Sequence, residues 1–227
     1  MNTPPGVDFS MLLASSVHDI KNSLGMLISS LDEVVKLESC TSPDQRKSFG
    51  ILHSEASRIN HSLIHLLGLY RLQNEQLKLQ SNEVYVLDFL EEQVTSLETL
   101  FEASNINVTI DCDDSIVGFF DQSLIASVIS NILVNCEKYT KDNLLLSVNR
   151  SGKGLAIQIQ DNGQGYPQTI IDHLSNELRG LDFETGSTNL GLFFASEIAH
   201  LHYCDNKHGS ISLHNNDTGG CFTLNIP

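Results

Sequence analysis

The chain has 227 residues, of which 41% are apolar, enough for one large domain or for a small and a medium one with packed cores, and not the composition of a disordered chain. Its net charge of -15 is carried almost wholly by the second part: residues 1–80 hold 8 acidic and 7 basic side chains, residues 81–227 hold 20 and 6, which disfavours nucleic acid and anionic membrane as partners. No run approaches the roughly 18 apolar residues of a membrane span, no basic-then-apolar leader opens the chain, and Cys40, Cys112, Cys136, Cys204 and Cys221 are odd in number and never spaced CxxC, so a reduced, cytoplasmic setting is expected.

The first predicted element is a long helix over 8–39. Leu13, Val17, Ile20, Leu24, Leu27, Leu31 and Val34 repeat at alternating spacings of 4 and 3, a heptad seam. A second seam runs through Phe49, Leu52, Ala56, Ile59, Leu63, Leu66 and Tyr70, predicting a helix over 43–76. Between them Ser42 is a good N-cap, Pro43 suits the first helical position, and Gln45 completes a capping box. The two form an antiparallel hairpin. Leu12, Ile28, Val35, Ile64 and Leu67 broaden the apolar stripe beyond what two helices can cover. A homodimeric four-helix bundle is the economical completion.

After residue 80 the texture becomes mixed. A helix is predicted over 87–104, strands at 106–112 and 115–121, a helix at 122–140, and strands at 143–149 and 154–161. Helices follow at 168–179 and 190–202. "GSISLHN" and "CFTLNIP" close the chain as an antiparallel pair around "NDTGG". The expected fold is α+β, with helices on one face of a sheet, and the expected domains are 1–80 and 81–227.

Four places could carry chemistry. In "SSVHDIKNSLGML", His18 and Asn22 are four apart beside the seam and share an outward helical face, with Asp19 adjacent. In "SVISNILVNCEKYT", Asn131 and Asn135 share a face that can offer amide oxygens to a hard cation, and Lys138 can meet phosphate. In "DNGQGYP", Asp161 closes a strand and can accept a hydrogen bond from an exocyclic amine, while Gly163 and Gly165 permit tight turns close to a ligand. In "GSTNLGLFFASEIAHLH", small residues open a helix whose N-terminal amides favour phosphate. Taken singly, each motif is weak. His200, His202, Cys204 and His208 lie close in sequence, but His200 and His202 are two apart on a helix and face different ways, which favours structural and surface roles over zinc.

In this order the motifs resemble the transmitter core of sensor histidine kinases: a dimerisation and phosphoacceptor hairpin, then an α/β sandwich of the Bergerat (GHKL) ATPase type. The resemblance covers about residues 8–227. "HDIKNSL" resembles the family's H box, "NILVNCEKYT" the N box, "DNGQGYP" the G1 box and "TNLGLFFASEIAHLH" the G2 box. It implies that His18 accepts the γ-phosphoryl group of ATP, that Asp19 is its general base, and that Asn22 positions water during dephosphorylation of a partner. Asn135, supported by Asn131, would hold Mg²⁺. Lys138 would contact phosphate and Asp161 the adenine, with Gly163, Gly165, Ser187, Thr188 and Gly191 shaping the nucleotide site. The implied partners are a response regulator receiver domain, a separate sensor protein or input domain, and a second copy of the chain.

Some features depart from the family pattern. Ser23 stands where a proline is usual, so the usual helix bend has no proline to make it. The G2 segment reads Ser187-Thr188-Asn189-Leu190-Gly191-Leu192, with two of its glycines replaced, and 19 residues separate Pro167 from Ser187, a short lid without a recognisable F box. The alternative reading is a histidine phosphotransferase or response-regulator phosphatase with a degenerate ATP domain. A non-catalytic protein that sequesters a partner leaves His18, Asp19 and Asn22 unexplained.

Overall fold

The computed structural model describes residues 20, 22–30, 52, 56, 59, 60, 63, 64, 67, 68, 70, 78–152, 154–175 and 187–227. The chain divides into two compact units, Met1–Leu77 and Lys78–Pro227.

In the first unit the described residues are helical. The expected connection at 40–42 and most of both expected helices lie outside them, as do His18 and Asp19. Asn60 lines one groove with Asn22, Gly25, Met26, Ser29 and Ser30, so the two helical segments lie side by side. Ala56 is buried against this pairing, yet the seam residues Ile20 (49%), Leu27 (49%), Leu52 (54%) and Ile59 (43%) remain exposed. A heptad seam that pairs two helices ought to bury these positions, so among the described residues these four seam positions are left largely uncovered within one chain.

The second unit opens with β1 (Asn82–Tyr85), followed by α1 (Val86–Thr95), α2 (Glu98–Ala103), β2 (Asn107–Asp111), β3 (Val117–Phe120), α3 (Gln122–Tyr139), β4 (Asn143–Ser151) and β5 (Gly154–Asp161). It continues with α4 (Gln168–Ser175), α5 (Ser187–Leu201), the short strands β6 (Tyr203–Cys204) and β7 (Lys207–His208), β8 (Ser210–Asn215) and β9 (Gly220–Ile226). Five strands form a sheet in the order β2-β4-β5-β9-β8. β2 runs parallel to β4, and the other neighbours are antiparallel. The mixed α+β architecture expected from sequence is the one observed.

Alternation along β5 sets the core. Leu155, Ile157 and Ile159 are buried, and their strand neighbours are less so. With Leu144, Leu146, Phe222 and Leu224 they form the sheet's inner face, all at 2% exposure or less apart from Leu155. Onto it α3 lays Ile125, Val128, Ile129, Ile132, Leu133 and Cys136, the positions of one helical stripe, and α5 adds Leu192, Phe194, Ala195, Ile198 and Ala199. Val86, Phe89 and Leu90 of α1 close one end, where the Phe89 ring meets the Phe120 ring edge-on at 5.4 Å.

The expected single helix over 87–104 is two helices. Ser96 Oγ donates to the Gln93 carbonyl at 2.7 Å and the Leu97 amide donates to the Val94 carbonyl, so the last turn of α1 tightens and the chain restarts at Glu98. β1, which pairs antiparallel with β3, gives little signal because only Val84 of its four residues is buried. β6 and β7 form a miniature hairpin turned by Asp205 (φ 48°) and Asn206 (φ 62°), residue types that tolerate left-handed backbone. α5 begins at Ser187, three residues before the expected start.

Asp121 ties three parts of this unit together. Its Oδ1 accepts from the Leu124 amide and so caps α3, and its Oδ2 accepts from the Gln80 amide at 2.9 Å. Its own amide donates to Nε2 of His202, whose Nδ1 bonds the Ile198 carbonyl at 2.8 Å. The ring is 2% exposed and is therefore held as the Nδ1–H tautomer. Burial pushes its pKa below the ordinary histidine value, against the opposing pull of the Ile198 carbonyl and the Asp121 charge. Above about pH 6.5 this ring is neutral in both folded and unfolded chains; below it the unfolded chain binds a proton that the folded chain refuses, and stability falls. Denaturant unfolding followed from pH 7.5 down to 5.5 is expected to show a steeper loss of stability in the natural chain than in His202→Asn.

Candidate nucleotide site

The parity that builds the core also aims Asp161. It is the fourth inward residue of β5 after Leu155, Ile157 and Ile159, so the strand drives a carboxylate into the layer between sheet and helices, where it is 7% exposed. Its Oδ1 accepts from the Gly163 amide at 2.8 Å and from the Gly220 amide at 3.2 Å, while Oδ2 has no hydrogen bond among the described residues. Oδ2 is left for whatever enters the cavity that Asp161 lines, and a ligand amine could donate to it.

The glycines around it answer to close packing. A Cβ on Gly220 would stand 2.7 Å from Asp161 Oδ2, and one on Gly219 would stand 2.8 Å from the Gly163 amide nitrogen. A Cβ on Gly163 would collide with the Tyr139 carbonyl oxygen. Gly165 has φ 76°, and a Cβ there would meet Asn215 Oδ1 at 2.6 Å. The "TGG" of the last turn is thus set by Asp161 as well as by the hairpin it closes.

Three walls enclose a cavity of about 110 Å³ next to Asp161. Ile132, Asn135, Cys136 and Tyr139, one stripe of α3, form the first. Gly165, Tyr166, Pro167 and Ile170 form the second, and Leu192 of α5 closes the third. The lining is mostly apolar with a few polar groups, the usual make-up of a small-molecule site. The side-chain amide of Asn135 has no hydrogen-bond partner among the described residues. One turn earlier, Asn131 is 7% exposed and its Nδ2 is buried without a partner. That amide packs on the backbone of Gly191, where a Cβ would stand 2.7 Å from it. Burial pushes the Cys136 thiol far above its ordinary pKa, with the Asp161 charge adding to it, which leaves an inert apolar wall.

Of the residues singled out from sequence, Asn135, Asp161 and Gly165 line the cavity. Gly163 supports Asp161, and Asn131 and Gly191 meet each other just outside the cavity. Lys138 is exposed on α3 and does not line it. Ser187 and Thr188 open α5. Asn22 lies in the other unit, exposed on its helix.

Sequence reading passed over three residues. Tyr166 lines the cavity. Asn215 clamps it, accepting from the Tyr166 amide at 2.7 Å and donating to the Tyr166 carbonyl at 2.9 Å. Asn162 Oδ1 accepts from three successive amides, those of Lys141 (3.2 Å), Asp142 (3.1 Å) and Asn143 (3.1 Å), a backbone nest filled by an amide oxygen. Its Nδ2 donates to the Asp142 carboxylate at 2.7 Å, which lowers that group's pKa. Asn162 and Tyr166 flank the glycines of "DNGQGYP" and could have been suspected. Asn215 lies 49 residues from Tyr166 and carries no local signal.

Comparison with known proteins agrees with this geometry. Residues 120–227 match the family model of histidine kinase-, DNA gyrase B- and HSP90-like ATPases. Over 223 residues, 95% of this chain, it is 26% identical to the sensor-like histidine kinase SenX3 of Mycolicibacterium smegmatis and spans 56% of that protein. It spans still less of other curated histidine kinases that it matches. Among solved structures, the histidine kinase AdeS of Acinetobacter baumannii superposes with a TM-score of 0.60 at 17% identity, covering 90% of this chain and 95% of that one. Full-length ShkA in complex with AMPPNP gives 0.66 at 15% identity, covering 96% and 45%. The second unit therefore has the fold of histidine kinase catalytic domains, and residues 120–227 of it match the ATPase family model.

The Asn162 nest yields a measurable expectation. Asn162→Ala hands three exposed amides at the end of α3 to water and is expected to lower unfolding free energy by about 0.5–1.5 kcal/mol. Asn149→Ala, an exposed position on β4, is expected to change it by less than about 0.5 kcal/mol, both read by urea unfolding.

Proposed function

We propose that this chain is a cytoplasmic histidine kinase core that works as a homodimer. In this reading it moves the γ-phosphoryl group of ATP onto His18 and then to an aspartate of a response regulator receiver domain, under control of a separate sensor protein or input domain. The observation that carries the reading is the cavity beside β5. A carboxylate oxygen (Asp161 Oδ2) and the amide of Asn135 lack partners there, and the buried amide nitrogen of Asn131 lacks one just outside it, within a region that matches the ATPase family model. These donors and acceptors suit a nucleotide and its cation. Asp161 would take the base amine, Asn135 would offer its amide oxygen to Mg²⁺, and Asn131 and Lys138 would donate to phosphate oxygens. Gly163, Gly165 and Gly191 keep the backbone close enough for this, and Ser187 and Thr188 stand at the start of a helix whose amides favour phosphate. Bound Mg²⁺ would neutralise charge on the transferring group.

The remaining work falls to the chain's own side chains. The neutral imidazole of His18 is the nucleophile. Its ring nitrogen forms a bond to phosphorus as the bond to the leaving diphosphate oxygen breaks, and Asp19 orients the ring and takes its proton. Asn22 positions the water that attacks the regulator's aspartyl phosphate, releasing inorganic phosphate and the free carboxylate. Among the described residues no helix is long and apolar enough to cross a membrane.

Incubation with γ-labelled ATP and Mg²⁺ is expected to label the natural chain and neither His18→Ala nor Asn135→Ala. If the natural chain takes no label from ATP but His18 accepts it from a phosphorylated regulator, the phosphotransferase reading replaces this one.

The exposed seam at Ile20, Leu27, Leu52 and Ile59 supports pairing with a second copy. Light scattering is expected to give twice the chain mass for the natural protein and a single chain mass for the double variant Leu27→Asp, Ile59→Asp. A natural chain that remains monomeric at tens of micromolar would remove the dimer.

A further inference from the structure

Tyr166 lines the cavity and has no role in the reading above. Its backbone is pinned on both sides by one amide, Asn215, so the ring has a fixed origin. The ring lies over Gly220, where a Cβ would stand 2.9 Å from Tyr166 Cε2 and 2.7 Å from Asp161 Oδ2. The Cδ2–Cε2 edge of the ring and the free carboxylate oxygen therefore flank a single point. The Tyr166 hydroxyl has no hydrogen-bond partner among the described residues, and neither has Asp161 Oδ2. Tyr166 and Asp161 thus line the same cavity with the ring edge close to the carboxylate, and both the phenol hydroxyl and Oδ2 are uncommitted.

This pair is a pattern that a base can match or fail to match. Adenine presents an amino group flanked by ring nitrogens, a donor beside an acceptor. Guanine presents a carbonyl oxygen at the same position. A carboxylate there would face an acceptor with an acceptor, a mismatch that leaves buried polar groups unpaired. We propose that Tyr166 is a base-reading residue: its hydroxyl donates to a ring nitrogen flanking the amine that Asp161 accepts from, so that the two side chains together select adenine. Burial and the neighbouring Cys136, Asp161 and Cys221 raise the phenol's pKa, which keeps the proton in place for donation at any physiological pH. This inference rests on the nucleotide reading of the same cavity.

Tyr166→Phe removes only the hydroxyl and keeps the ring on Gly220. The test measures affinities of the full chain and of this variant for ATP, 1-deaza-ATP and 7-deaza-ATP by calorimetry, with thermal melts to establish that the variant is folded. The natural chain is expected to bind ATP roughly three- to tenfold more tightly than the variant does. One deaza analogue, the one lacking the contacted nitrogen, is expected to bind both proteins equally. A variant that binds ATP as well as the natural chain, or loses the same factor for all three nucleotides, overturns the role of Tyr166 and leaves the nucleotide site standing. A natural chain that binds none of them overturns the site and this role together.

Discussion

The second unit is organised around one conflict: a carboxylate placed where the alternation of a core strand calls for an apolar side chain. Asp161 continues the inward series of Leu155, Ile157 and Ile159, so it cannot turn to solvent without breaking the register of β5 against β4 and β9. The surroundings accommodate it at close range. Two glycine amides meet one oxygen, and the glycines carry no side chain because the carboxylate, or the backbone beside it, already occupies the space. What stays unmet is the second oxygen, and the cavity forms there. The site is thus the place where the packing rule of the sheet is left incomplete, in keeping with the general observation that local rules fail at functional sites.

Side-chain amides then fasten the cavity's walls. Asn215 holds Tyr166 from the far hairpin, and Asn162 gathers the three amides that follow α3. Both add side-chain bonds where main-chain pairing runs out at the ends of helix and strands. Asparagine suits this work because one side chain offers an acceptor and a donor in one plane without adding charge beside Asp161 or Asp142. The acidity of this part of the chain makes that neutrality useful, since a carboxylate in either position would face a neighbour of its own sign.

The parts of this arrangement readable from sequence were those with a period or a tight local spacing. α3 was legible because its apolar stripe repeats at helical intervals, and that stripe put Asn131 and Asn135 on one face. β5 was legible because it alternates, and Asp161 ended it. β1 was missed because four residues with one buried side chain carry no period, and the break at Ser96 was missed because a serine bonding back to its own turn leaves no mark in the apolar pattern. Asn215 and the pair Gly219–Gly220 were read as hairpin residues, which they are. Their second duty toward Tyr166 and Asp161 depends on β9 lying beside β5, a long-range fact that no window of sequence contains.

Asp121 carries a mechanical consequence. Its side chain holds the Gln80 amide with one oxygen and the first turn of α3 with the other, and its backbone is bonded to His202. Tension entering the domain along the chain at Lys78 therefore meets a short, stiff linkage before it meets any strand. It loads the N-terminal end of the helix that bears Asn135 on one side and the C-terminal anchor of α5 on the other. A tug or twist at that entry acts on two of the three walls of the cavity through one residue, its carboxylate reaching α3 and its amide reaching His202 after α5, much as a load on a toggle moves both of its arms.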